Sequence, residues 1–125
     1  MQNYNNLRVT ARARSVVREA YLATDSFPKR EMFGLVAQMR RAAISSALNI
    51  VEGCSRRSTK ELIRFLEISV GSSMELEFCC VLADDLGFGN KTATARLISL
   101  NKTFQRELSA LIAALRKRKT TGTRE

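Results

Sequence analysis

The sequence contains no histidine and no tryptophan, and only one proline, six glycines and three cysteines among its 125 residues. Without histidine, the chain has no imidazole to act as a general base, to activate a nucleophile or to bind a metal. The scarcity of proline and glycine favours a few long helices over many short strands. The sequence therefore predicts neither an enzyme nor a bound cofactor or metal.

The cysteines and the apolar runs bear on the cellular location. Cys54, Cys79 and Cys80 are an odd number and lack the paired spacing of a zinc site, so no disulfide framework is expected. The longest apolar run, residues 78–83, is far too short to span a bilayer, and the N-terminus has no apolar signal core. We expect a cytoplasmic protein that does not contact a membrane.

Apolar residues recur with helical spacing in four segments of the chain. The predicted helices span about 5–24, 29–54, 58–86 and 91–117. Ser58 and Glu61 have the spacing of a capping box at the start of the third helix, and Gly53 is a plausible end of the second. Short connections between long helices predict an all-α, antiparallel up-down four-helix bundle over residues 1–119. Residues 120–125 are expected to form a disordered basic tail end.

The four predicted helices are not equally amphipathic. Apolar residues occupy one stripe of the first and fourth helices but most of the circumference of the second and third. A helix that is apolar all round must be covered on more than one side, whereas a small bundle covers only one face of each helix. We therefore expect self-association. The alternative is that these two helices are simply more central in the bundle.

Charge is unevenly distributed along the chain, whose net charge is +9. Residues 1–60 carry a net +7, residues 61–90 a net −5 and residues 91–125 a net +7. If the acidic third helix neutralises part of the basic set, the excess remains on the first helix and the tail. The side chains expected to bind nucleic acid are Arg8, Arg12, Arg14, Arg18, Arg116, Lys117, Arg118 and Lys119.

A surface of this kind attracts polyanions, and its repetition around an oligomer would strengthen the field. Nothing in the sequence suggests base reading, so the expected contacts are with phosphates of RNA or DNA. Three alternatives remain open. These are a purely solubilising surface, a protein–protein scaffold whose basic charge faces an acidic partner, and a small enzyme of an unrecognised type.

The middle of the chain, from Phe27 to Glu77, carries a pattern of residues known from one family. Its densest parts read FPKREMFGL, QMRRAAISSALNIVEG and GSSMELE. These stretches closely resemble the four-helix-bundle proteins encoded in intervening sequences of bacterial 23S ribosomal RNA genes, to which accessory proteins of diversity-generating retroelements are related. Thr10 and Cys54 depart from the family pattern, which usually has aromatic residues there.

The resemblance has implications for assembly and partners. It implies a four-helix bundle that assembles as a ring-like homopentamer with a role in nucleic-acid binding. By relation to the retroelement proteins, it also makes a reverse transcriptase a candidate partner.

Polar residues within the matched region share stripes on the second and third helices. We expect Asn49 and Glu52 to pair with side chains between helices or between subunits, and so to fix register and assembly rather than to catalyse. The candidate partners are Arg41, Arg64 and Ser72. The full set expected in this network is Arg41, Ser45, Asn49, Glu52, Arg64, Ser72 and Glu75.

Overall fold

Four α-helices in up-down order make up most of the chain. The structure is a computed structural model that describes residues 2–120, with side chains through residue 118. The helices are α1 (Arg8–Thr24), α2 (Leu35–Cys54), α3 (Thr59–Leu86) and α4 (Lys91–Thr120), with single 3-10 turns at Tyr4–Asn6 and Lys29–Glu31. Each helix packs against the next and α4 packs against α1. The predicted all-α bundle is confirmed, and the described residues contain no β-strand.

The second helix begins later than the periodicity predicts. It starts at Leu35 rather than near Lys29, because Gly34 has φ −107° and ψ −115°, outside the helical region. The Glu31 carboxylate accepts a hydrogen bond from the backbone N–H of Leu35 at 3.1 Å, which caps the new start. The first helix likewise begins at Arg8, after a 3-10 turn, rather than at residue 5.

Other helix ends follow the chemistry of their capping residues. Ser58 Oγ accepts a hydrogen bond from the backbone N–H of Glu61 at 3.1 Å, which is the serine half of the predicted capping box. The described hydrogen bonds do not include the return bond from the Ser58 N–H to the Glu61 carboxylate. Gly87 closes α3 in the left-handed conformation, with φ 72°. Of the predicted disordered tail end, only Thr120 falls within the described residues, as the last residue of α4.

Gly53 lies inside α2 and does not end it. The helix continues to Cys54, and Ser55 is the C-cap. A Cβ at Gly53 would lie 2.9 Å from the Cβ of Phe65 and 3.3 Å from the carbonyl oxygen of Leu62. Glycine is therefore required here by the close approach of α3 rather than by a turn.

The bundle core contains polar contacts as well as apolar stripes. The predicted apolar stripe of α1 is buried throughout, from Val9 to Ala23. Ser69 Oγ on α3 donates to the backbone oxygen of Ser46 on α2 at 2.6 Å. Across the α3–α4 interface, Ser73 Oγ donates to Asn101 Oδ1 at 2.7 Å, and Asn101 Nδ2 donates back to the Ser73 carbonyl at 2.9 Å. These buried bonds pin the helices in one register.

Candidate interaction surfaces

Most acidic side chains of the bundle are already neutralised by basic neighbours. Among the described residues there are eight ion pairs, and each uses a different carboxylate and a different basic side chain. Glu77 of α3 binds Lys102 of α4, and Glu67 of α3 binds Arg116 of α4. The acidic third helix thus neutralises part of the basic charge of α4, as the charge distribution of the sequence suggests.

Arg12, one of the residues expected to bind nucleic acid, is engaged within the bundle. Its Nε and Nη2 each donate to the Glu107 carboxylate at 3.0 Å, joining α1 to α4. This bond and its charge lower the pKa of Glu107 and raise that of Arg12. Two of the five N–H donors of this guanidinium are committed to a carboxylate, so it has less to offer a phosphate.

The other basic side chains expected to bind nucleic acid are exposed wherever the structure describes them. Arg14 and Arg18 are exposed on α1, as expected, and Arg8 is exposed at the start of the helix. Lys117 and Arg118 are exposed near the end of α4, and the side chain of Lys119 lies outside the described ones. The basic residues with no ion pair in the described part are Arg8, Arg14, Arg18, Lys29, Arg30, Arg41, Arg57, Arg106 and Lys117.

A second basic group, missed by the sequence interpretation, surrounds the α2–α3 connection. The guanidinium of Arg56 lies 4.9 Å from the ring centroid of Phe65, and that of Arg64 lies 4.5 Å from the same centroid. Lys60 and Arg64 line one cavity together with Arg116, so the connection and the end of α4 are neighbours. The sequence signal for this group is the run SRRSTK, which has three basic residues around the serine that caps α3.

The outward sides of α2 and α3 form an exposed apolar face. Leu48 is 61% exposed and Phe78 is 60% exposed, although both belong to helices packed into the bundle. A groove of about 400 Å³ lies between the two helices, lined by apolar residues together with Gln38, Arg41 and Glu75. We define the apolar face by its exposed members, Leu48, Val51, Ile68, Met74, Phe78, Val81, Leu82 and Leu86.

Part of the predicted polar network lies beside this apolar face. The Oγ atoms of Ser45 on α2 and Ser72 on α3 are 2.9 Å apart and share a hydrogen bond. Asn49 Nδ2 donates to the carbonyl oxygen of Ser45 at 2.8 Å and to its Oγ at 3.2 Å. The structure therefore brings these three side chains together at the α2–α3 interface.

The charged members of the predicted network have other partners, or no ion pair among the described residues. Glu52 binds Arg56 at 2.8 Å, one turn further on, rather than Arg41 or Arg64. Arg64 lies 4.0 Å from Glu61. Arg41 donates a long hydrogen bond to Gln38, and neither it nor Glu75 forms an ion pair among the described residues.

Most of the length of the chain matches one protein family. Residues 5–110 match the family described as 23S rRNA-intervening sequence protein. The chain belongs to this family. The matched range includes α1, α2, α3 and most of α4, so it contains both the apolar face and most of the basic residues. No curated protein is significantly similar to this family member.

The cysteines of this family member are buried or partly buried thiols. Burial raises the pKa of Cys80 to about 12 and raises those of Cys54 and Cys79, so these groups are protonated at neutral pH. No group of three or more potential metal-binding side chains occurs among the described residues. None of the helices in residues 2–120 combines the length and the apolar character needed to cross a membrane.

Proposed function

We propose that the chain is a non-enzymatic, basic, homo-oligomeric helical bundle that binds nucleic acid through phosphate contacts, with RNA as the first candidate. The proposed number of subunits, five, comes from the family resemblance alone. The proposal places the protein in the cytoplasm.

The surplus of basic charge carries the nucleic-acid part of the proposal. The eight internal ion pairs use most of the described carboxylates, and nine basic side chains have no such partner in the described part. The phosphates of a nucleic acid present a high density of negative charge. Each contact between a phosphate and a basic side chain releases condensed counterions. Arg14, Arg57 and Lys117 are exposed representatives of this surplus.

The apolar face supports the oligomeric part. Exposed apolar residues are normal when they are scattered, but a contiguous group marks an interaction site. Leu48 on α2 and Phe78 on α3 both belong to the apolar face, which the packing of the four helices leaves exposed. A second copy of the chain is the partner that the protein always has available.

A protein–protein scaffold is the second candidate, because the groove beside Arg41 and Glu75 can receive a different chain. An accessory role for a reverse transcriptase belongs to this class. In that case the apolar face would bind the partner, and the basic charge would face acidic protein surface.

Two measurements on the purified chain test the proposal. Light scattering over a range of protein concentrations should give a mass several times that of the 14.0 kDa chain. Fluorescence anisotropy should detect binding of unrelated RNA and DNA oligonucleotides, with affinity that falls steeply with salt. A monomer would contradict the oligomer. Absent or salt-insensitive binding would contradict the nucleic-acid role and favour the scaffold.

A further inference from the structure

The two ends of the bundle differ in net charge, because the fold brings separate basic segments of the sequence together at one end. We define the basic end as residues 2–12, 48–67 and 107–118, around the α2–α3 connection. It contains nine basic and four acidic side chains, including Glu67 and Glu107, which pair with Arg116 and Arg12. The opposite end, residues 18–41 and 75–100, contains seven of each. The net charge is therefore +5 at one end and zero at the other.

Two of these three segments supply most of the basic side chains of the basic end. The α2–α3 connection supplies Arg56, Arg57 and Lys60, and α4 supplies its last turns. Lys60 and Arg116 line the same cavity of about 550 Å³, so the two parts meet in space. The antiparallel order of the helices causes this meeting, because α3 begins where α4 ends.

Two arginines of the basic end are held in place by one aromatic ring. The guanidiniums of Arg56 and Arg64 both stack on Phe65, within 5 Å of its centroid. Their carboxylate partners, Glu52 and Glu61, are exposed residues on the surface. Exposed ion pairs are worth little in water, so exchanging a carboxylate for a phosphate costs little.

The size of the basic end suits a nucleic-acid backbone. Helices packed 8–10 Å apart give a four-helix bundle an end face roughly 20 Å across. A duplex carries one charge per about 1.7 Å of its axis, so such a face lies within reach of several phosphates. The opposite end, in contrast, offers a polyanion as many carboxylates as basic groups.

We propose that nucleic acid contacts the bundle end-on, at the basic end, rather than along the side of α1. This inference rests on the proposed function and deepens it, because it assigns the contact to Arg57, Lys117 and their neighbours. Arg14 and Arg18, in contrast, would contribute only to the general field of the protein.

Charge-matched pairs of substitutions test the location. The end variant R57Q/K117Q and the control K29Q/K91Q each remove two positive charges from exposed side chains, the control at the opposite end. Arg57 and Lys117 form no described ion pair, and Lys91 forms only a long one, 3.9 Å from Asp84. Circular dichroism melts verify that all variants fold. The probes are fluorescein-labelled 20-nucleotide RNA and a 20-base-pair DNA duplex, titrated from 50 to 300 mM NaCl.

The end variant should bind about tenfold more weakly at 100 mM salt, with a log–log salt slope reduced by about 1 to 2. The control should remain within about twofold of the wild type with an unchanged slope. Equal losses in both variants, or a larger loss in R14Q/R18Q, would overturn the end-on contact while the proposed function stands. Failure of the wild-type chain to bind either probe would overturn the proposed function itself.

Discussion

The Glu107 carboxylate on α4 accepts two hydrogen bonds from the Arg12 guanidinium on α1, each 3.0 Å long. Because the bond favours the ionised carboxylate, the pKa of Glu107 lies below the ordinary value of 4.5. In the unfolded chain the carboxylate would regain that ordinary value. As the pH falls below that ordinary pKa, the unfolded state therefore binds more protons than the folded state. The contribution of the Arg12–Glu107 pair to the free energy of unfolding is lost as the pH falls further through the folded pKa of Glu107.

Glu107→Gln should therefore lower the melting temperature at pH 7. The difference from the wild type should shrink as the pH falls from about 5 through the folded pKa of Glu107. Thermal melts at several pH values measure it. Asp85→Asn is the control, since Asp85 is exposed and has no ion pair among the described residues. A Glu107→Gln difference that persists undiminished at pH 2 would show that its effect is not that of the charge.

The buried pair of Ser73 and Asn101 predicts a non-additive result. Asn101→Leu should reduce the free energy of unfolding by about 1–3 kcal/mol, because it leaves the Ser73 hydroxyl buried without its acceptor. The double variant S73A/N101L removes both polar groups and should recover part of the loss. Urea unfolding of the single and double variants measures the coupling. A double variant less stable than N101L would refute this account.

Two glycines on the same pair of helices should respond in opposite ways to alanine. Gly53→Ala should cost about 1–3 kcal/mol, because the added Cβ would meet Phe65 at 2.9 Å. A Cβ at Gly71 would meet no atom of the described residues within 4 Å. In a dilute monomer, Gly71→Ala should therefore stabilise α3 by up to about 1 kcal/mol.

The expected effect of Gly71→Ala is different if the chain forms an oligomer through the apolar face. If a second copy packs on the apolar face, a Cβ at Gly71 would hold it away, and Gly71→Ala should reduce the mass measured by light scattering. A stabilised variant whose mass matches the wild type at all concentrations would place the contact elsewhere.

Leu48→Glu should dissociate the proposed oligomer, because it places a charge on the apolar face. Leu48 is 61% exposed, so a folded monomer should tolerate the change. Leu22→Glu is the matched control, since Leu22 is 55% exposed but lies on α1. Light scattering should show loss of mass for the first variant only. Dissociation by both variants, or by neither, would contradict an interface on α2 and α3.

Arg41 and Glu75 are opposite charges that line one groove without an ion pair. If Arg41 of one copy pairs with Glu75 of a neighbouring copy, Arg41→Glu should weaken assembly, because it places two carboxylates together. Exchanging both, as R41E/E75R, should restore it. Sedimentation velocity distinguishes the three species. A double variant as weakly associated as Arg41→Glu would exclude this pair.

The fold was predictable where it depends on local chemistry. Ser58 caps α3 and the apolar stripe of α1 is buried, both as the residue spacing indicates. The start of α2 was not predictable from periodicity, because it depends on the backbone of Gly34 and on one hydrogen bond from Glu31. Asn101 was also missed, although it interrupts the apolar stripe between Leu97 and Phe104.

The candidate surfaces were predictable only in part, because they depend on which helices meet. The sequence marks Arg12 and Arg14 as equivalent basic residues of one helix. Only the position of α4 distinguishes them, since Glu107 engages Arg12 and leaves Arg14 exposed. Likewise, Lys60 and Arg116 are far apart in sequence, and the antiparallel order of α3 and α4 brings them to one cavity.

The unequal charge of the two ends also gives the bundle a permanent electric dipole along its long axis. In the field of a polyanion such a molecule experiences a torque that turns its basic end forward before any contact forms. Orientation during approach raises the fraction of productive encounters, and salt suppresses the effect within a Debye length of about 10 Å at 0.1 M. Association rates should therefore decline with ionic strength more steeply than dissociation rates rise.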